Sequence, residues 1–121
     1  IQWKQSINSY VRPTIIDNLI FTVSLEGYLV IIDKKSGSII RATDIFDIFK
    51  KKKRKKILPV GFIVAKNYIY LSTSNGRLLL IDFISGKTKV AYKIDNGKIS
   101  SPIILDKSFY LAKDSSIIRL N

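Results

Sequence analysis

The 121-residue chain contains no cysteine and no histidine. Without cysteine there is no disulfide, no thiolate metal site and no cysteine nucleophile within this stretch. Without histidine, the commonest metal ligand and the commonest general base are missing as well. Methionine is also absent, so Ile1 is not a translation start, and the chain is expected to be a processed or excised piece of a longer protein. No apolar run approaches the roughly 20 residues that a membrane-spanning helix needs. No window has the pattern of a signal peptide, although an upstream signal or anchor removed by processing would leave the same sequence.

What remains is apolar and basic. Hydrophobic residues make up 46% of the chain, enough to build a core. The formal charge is +12, from 21 basic and 9 acidic residues. Seven of the basic residues form one block, Lys50, Lys51, Lys52, Lys53, Arg54, Lys55 and Lys56, and removing those seven charges leaves +5. The rest of the chain is therefore only mildly basic.

The apolar content is written in repeats. Residues 27–37 read GYLVIIDKKSG and residues 76–86 read GRLLLIDFISG, with six of eleven positions identical at an offset of 49. Residues 17–22 (DNLIFT) align with 66–71 (KNYIYL) at the same offset, and 106–111 (DKSFYL) align with 66–71 at an offset of 40. The two offsets differ by nine residues, and the longer interval holds the lysine block. The unit is then near 40 residues, with the basic run inserted in its first copy.

Within each copy, short runs rich in Ile, Val, Leu, Tyr and Phe alternate with Asn, Asp, Gly and Ser, the signature of strands joined by hairpins. Strands are expected near 10–16, 19–24, 28–33 and 38–45, then 58–65, 68–73, 77–82 and 87–94, then 99–105, 108–112 and 116–120. Four strands per copy is the content of one β-propeller blade. The third strand of each copy, Leu29 to Ile32 and Leu78 to Ile81, is apolar without alternation. A strand covered on both faces reads that way. The expected fold is all-β, about two and a half four-stranded antiparallel blades of a β-propeller. Residues 1–9 would end a preceding blade, 10–45 and 58–95 would be blades, 46–57 the basic insertion and 96–121 an incomplete blade.

The repeated phrase then has a structural purpose. Gly27 and Gly76 suit tight turns before the third strand, where positive φ carries no steric penalty. Asp33 and Asp82 end that strand with carboxylates able to accept hydrogen bonds from turn amides. Ser36 and Ser85 follow in the turn, and Gly37 and Gly86 supply the left-handed residue that sends the fourth strand back.

The pattern Gly-x-Leu-x-x-Ile-Asp-x-x-Ser-Gly resembles the repeat of pyrroloquinoline-quinone-type β-propellers, over nearly the whole chain outside 46–57. In that family a Trp commonly follows the final Gly by four residues and docks between neighbouring blades. The resemblance implies that role for Trp3, at the end of a preceding blade. The equivalent positions of the later copies hold Arg41 and Val90, a departure expected to weaken the lock between blades.

The resemblance also implies one of two functional branches. Quinoprotein dehydrogenases hold the quinone and Ca²⁺ on the propeller axis, using converging carboxylates, an Asp base and often a vicinal cysteine pair. Non-enzymatic propellers include the lipoprotein subunit of the bacterial outer-membrane β-barrel assembly machine. This chain has no cysteine pair, and its repeat acids fall in turns, so the non-catalytic branch is expected. That branch implies no cofactor, protein partners such as β-barrel assembly components, and a periplasmic location with an outer-membrane anchor upstream. The alternatives are a dehydrogenase whose site lies in missing blades, and a eukaryotic sensor or regulatory propeller.

In the insertion, Ile45, Phe46, Ile48 and Phe49 share one face if residues 44–50 form a helical turn capped by Asp44. The block that follows reads most simply as a solvated, self-repelling loop. An amphipathic turn beside a cationic cluster also suits an anionic membrane surface or an acidic protein. The same letters match a nuclear-localisation or nucleic-acid patch, although little beyond the charge itself speaks for nucleic acid.

Two blades and part of a third cannot close a ring of the usual four to eight blades, so end faces would stay bare. Expressed alone, the chain is expected to self-associate and to bind a hydrophobic dye. A sharp monomer of 13.8 kDa in sedimentation, without dye binding, would contradict the propeller assignment.

Overall fold

The computed structural model describes residues 2–9, 11–113 and 116–120. Three antiparallel sheets follow one another along the chain. The first holds β1 (Thr14–Ile16), β2 (Leu19–Val23), β3 (Tyr28–Asp33) and β4 (Ile39–Asp44). After a four-residue helix, α1 (Lys51–Arg54), the second holds β5 (Pro59–Ala65), β6 (Tyr68–Thr73), β7 (Arg77–Asp82) and β8 (Thr88–Lys93). The third holds β9 (Ile103–Leu105), β10 (Ser108–Lys113) and β11 (Ser116–Arg119). Among the described residues, strands pair only with sequence neighbours. β1 and β9 are shorter than the hydrophobic pattern suggests, each starting directly after a proline, Pro13 or Pro102. Proline has no N–H for the ladder, so pairing begins beyond it.

The first two sheets repeat each other residue by residue. Phe21 pairs with Ile31 and Tyr70 with Leu80. The register shifts between Ile31 and Ile32 in one sheet and between Leu80 and Ile81 in the other, so the same bulge recurs. The turns after β3 and β7 share one hydrogen-bond scheme. Asp33 Oδ1 accepts the Lys35 and Ser36 amides at 2.8 and 3.3 Å, and Asp82 Oδ1 accepts those of Ile84 and Ser85 at 2.8 and 2.9 Å. Ser36 Oγ and Ser85 Oγ accept the amides of Ser38 and Lys87 at 3.1 and 3.2 Å. Gly37 and Gly86 stand at φ +75° and +73° and donate to the Asp33 and Asp82 carbonyls. A Cβ at either position would collide with a neighbouring side chain, Trp3 at Gly37 and Thr43 at Gly86, besides straining the backbone.

The core lies between the sheets. Phe21, Leu29 and Ile31 of the first and Ile69, Leu71, Leu79 and Ile81 of the second belong to one buried cluster. Leu29, Val30, Ile31 and Ile32 are consecutive and all buried, as their unbroken apolar run requires. Aromatic pairs bridge the sheets: Phe21 meets Phe83 at 5.1 Å between ring centroids, and Tyr70 meets Phe109 at 4.5 Å. Burial raises the Tyr70 pKa above the ordinary phenol range. In the third sheet Ile103, Ile104, Leu105 and Ile117 are exposed.

Residues 2–9 form no strand but run along the first sheet from the β3–β4 turn to the β2–β3 turn. Trp3 Nε1 donates to the Lys34 carbonyl at 2.9 Å, Gln5 Nε2 to the Gly37 carbonyl at 2.6 Å, and the Asn8 carbonyl accepts the Leu25 amide at 2.8 Å. β4 repeats this approach to the second sheet. Arg41 donates to the carbonyl of Phe83 at 3.2 Å and to that of Ile84, and Thr43 lies against Gly86 as Trp3 lies against Gly37. The lock expected to weaken without Trp is thus made by a guanidinium. Trp3 contributes one donor and a ring; Arg41 contributes two donors and its aliphatic stem. The turn that would face Val90 lies outside the described residues.

Arg41→Ala is expected to lower unfolding stability by about 1.5 kcal/mol, the scale of hydrogen bonds from a charged donor. Arg41→Lys should recover less than half, because an ammonium is not a planar fork. Urea unfolding at constant m-value tests this, and an Ala variant with an unchanged midpoint would sink the assignment.

Candidate functional site

The β2–β3 and β6–β7 turns and the connection from β4 to β5 lie together at one end of the sheets. Here the Ile45 amide donates to the Gly27 carbonyl at 2.9 Å, and the Ile94 amide makes the matching bond to Gly76 at 2.9 Å. The Asp33 and Asp82 turns lie at the opposite end. The structure therefore brings only Gly27 and Gly76, of the repeat-motif residues, near the basic insertion.

The insertion keeps a single turn capped by Asp44 within 44–50 but not the shared apolar face expected of it. Asp44 Oδ1 accepts the Phe46 amide at 3.1 Å, and the Phe46 carbonyl accepts the Phe49 amide at 3.0 Å, giving one turn. Ile45 and Phe46 are fully buried, while Ile48 is exposed. Phe46 packs against Gly27 and meets Phe49 edge-on at 5.4 Å. The tie from Ile45 to Gly27 and the burial of two adjacent side chains leave no room for a single apolar helical face. Instead α1 forms inside the cationic block, with Lys50 at its start lacking a side-chain cap.

Four cations in a helical turn repel one another, and the counterweight is Asp44. The Arg54 guanidinium grips it with two bonds, Nη1 to Oδ2 at 2.9 Å and Nη2 to Oδ1 at 2.6 Å. Nη2 also reaches the Glu26 carbonyl at 3.4 Å. The hydrogen bonds from Arg54 hold the Asp44 carboxyl below its usual range and push Arg54 itself up. Arg54, expected among the contacts for an anionic partner, is thus already engaged internally. Lys50, Lys51, Lys52, Lys53, Lys55 and Lys56 remain exposed. The loop rejoins the sheet at Leu58, whose amide donates to Ser74 Oγ and whose carbonyl accepts the Ser74 amide, both at 2.8 Å.

α1 separates two clefts. One, of about 620 Å³, lies towards the β2–β3 turn, with Leu25, Tyr28 and Leu58 supplying apolar surface beside Glu26, Lys51 and Lys55. The other, of about 630 Å³, lies towards the β6–β7 turn and gathers Lys50, Lys52, Lys53, Lys56 and Arg77 around Asn75. Arg77 is fixed by donating to the Asn75 carbonyl at 2.9 Å and the Asp95 carbonyl at 3.0 Å. The Asp95 carboxylate turns to Lys113 at 2.9 Å, and that bond leads in lowering its pKa. Sequence reasoning found the lysines but missed Arg77, Asn75 and the Asp44–Arg54 grip. The available signal was Asp44, an acid standing just ahead of the cationic block. Among the described residues no group of three or more His, Cys, Asp or Glu could hold a metal ion.

Consecutively paired, four-stranded antiparallel sheets, each packed on the next through a shared core, define a β-propeller. This chain supplies two such blades and a three-stranded one. Solved structures carry the likeness. BamB from Moraxella catarrhalis superposes with a TM-score of 0.69 at 12% identity, over 93% of this chain and 32% of that one. The quinohemoprotein alcohol dehydrogenase ADHIIG from Pseudomonas putida HK5 gives 0.64 at 18%, over 90% and 17%. The Cps50 (Swd1) β-propeller domain from Myceliophteria thermophila gives 0.63 at 14%, over 78% and 31%. The chain spans about a third or less of each. No family model and no curated protein sequence matches it.

Asp44→Asn is expected to cost about 1 kcal/mol at pH 7, the upper range for an exposed pair with bidentate geometry. Because the folded-state pKa of Asp44 is depressed, its contribution is full above the unfolded value near 3.9. It fades as pH falls through the lower folded value. The difference between wild type and variant should therefore begin to shrink at about pH 4 and vanish only once the pH is below the folded value. Denaturation midpoints from pH 7 down to pH 2 check this; a gap that persists in acid would disprove the ion-pair role.

Proposed function

We propose that this chain is part of a non-catalytic β-propeller scaffold that mediates protein–protein interaction. Its setting is outer-membrane protein assembly in a bacterial periplasm, with an anchor upstream. The observation that carries this reading is the commitment of four carboxylates. Asp33 and Asp82 hold turn amides, Asp44 holds Arg54, and Asp95 holds Lys113. A dehydrogenase needs such groups free and converging on a substrate or metal. Six exposed lysines gathered at one end of the blades suit a binding surface instead. The likeness to BamB, over 93% of the chain, supports the assembly setting.

The quinohemoprotein likeness, over 90% of the chain, favours a second reading, in which these blades are the wall of a quinone enzyme whose site lies in other blades. An affinity pull-down of the full-length protein from its native cells, with mass spectrometry, separates the two. Co-purification of β-barrel assembly components is the expected result. A quinone chromophore with bound Ca²⁺ and no protein partner would replace the scaffold with the dehydrogenase.

A further inference from the structure

We infer that the cleft between α1 and the β6–β7 turn takes an extended acidic segment of a partner polypeptide, a specification that rests on the scaffold reading. The two sides of α1 differ in kind. Towards the β2–β3 turn, the cleft contains Glu26, and its Arg54 is neutralised by Asp44. Towards the β6–β7 turn, four lysines and Arg77 converge with no carboxylate among the lining residues. Arg77 is held in place by two backbone carbonyls, so part of the positive field is preorganised and needs no ordering on binding.

The rest of the lining suits a peptide. The Asn75 side-chain oxygen accepts from the Thr73 hydroxyl, which leaves its amide hydrogens to donate, and Asn96 is exposed beside it. Two carboxamides at the wall can meet the backbone groups of an extended chain. Ile48 at the rim and half-buried Phe49 add apolar contact. A flat lipid surface would meet the exposed lysines but not engage Arg77, which is only partly exposed and tied to two carbonyls. Single-stranded nucleic acid needs open ring faces, whereas Phe49 is packed edge-on against Phe46. The nine acidic residues of this sequence are never adjacent to one another, so these 121 residues do not themselves supply the occupant.

The test uses two equal charge changes on opposite sides of α1. In the full-length protein, the double variant Lys52→Gln with Lys56→Gln alters the β6–β7 side, and Lys51→Gln with Lys55→Gln alters the other. All four lysines are exposed, so both variants should fold, and circular dichroism checks that they do. The probe is a fluorescein-labelled deca-glutamate peptide followed by anisotropy, with deca-glutamine, phosphatidylglycerol vesicles and an oligothymidylate as comparisons. The first variant should weaken deca-glutamate binding about fivefold, two exposed pairs at about 0.5 kcal/mol each. The second should change it less than about twofold on the same scale.

Equal weakening by both variants would mean diffuse charge and overturn the cleft. So would absence of deca-glutamate binding, or tighter binding to the vesicles or the oligonucleotide. Any of these leaves the scaffold reading standing, since the pull-down does not depend on the lysines. A quinone chromophore would overturn the scaffold while the peptide measurement still reported on the cleft.

Discussion

A four-stranded sheet of this kind has two apolar faces and cannot hide either alone. Everything else in the structure follows from the need to press one sheet against the next. Phe21, Leu29 and Ile31 are buried because Ile69, Leu71 and Ile81 stand opposite them. The fit is set at the outer turns, where Gly37 and Gly86 leave room for a side chain from the preceding segment. The chemistry of that side chain is open, since an indole and a guanidinium both find carbonyls waiting there. What the site demands is a donor for those carbonyls and a side chain over the glycine, both supplied by Trp3 at Gly37 and divided between Arg41 and Thr43 at Gly86.

Much of this was legible in the amino-acid sequence. The unbroken run Leu29 to Ile32 announced a strand covered on both sides, and Asp-x-x-Ser-Gly announced a turn whose donors are its own amides. Both follow from local rules in which side chain and backbone answer each other within a few residues. The inter-blade role of Arg41 was not legible, because its partners, Phe83 and Ile84, lie more than forty residues away. Arg in place of an expected Trp looked like a loss while the carbonyls that it meets were out of view. In truth the contact is half polar, and its carbonyls do not register in a hydrophobicity pattern.

The insertion shows the same boundary between local and distant information. A run of seven cations says that something must be solvated, and six of the seven side chains are exposed. It does not say that the remaining one will fold back on Asp44, nor that the apolar residues before it will divide between core and rim. Ile45 and Phe46 went inward because Gly27 offered a carbonyl and an open face; Ile48 stayed exposed. The candidate site therefore emerged from tertiary contacts, with composition supplying only its sign. Arg77 and Asn75 belong to a blade turn, and their nearness to the lysines is visible only once the blades are stacked.

The grip of Arg54 on Asp44 gives an apparently featureless tract an address. Successive residues of an α-helical turn are separated by about 100°, so the distance in sequence from Asp44 to Arg54 determines which lysines face which cleft. Removing one lysine ahead of Arg54 would leave the composition almost unchanged. With the guanidinium still anchored, it would remove a cation from α1 and redraw the path that leads to the anchor. Removing one lysine after Arg54 would instead shorten the span to Leu58 and pull against the Ser74 tie. The two ends of the tract are thus not interchangeable, and its length carries information that its letters do not.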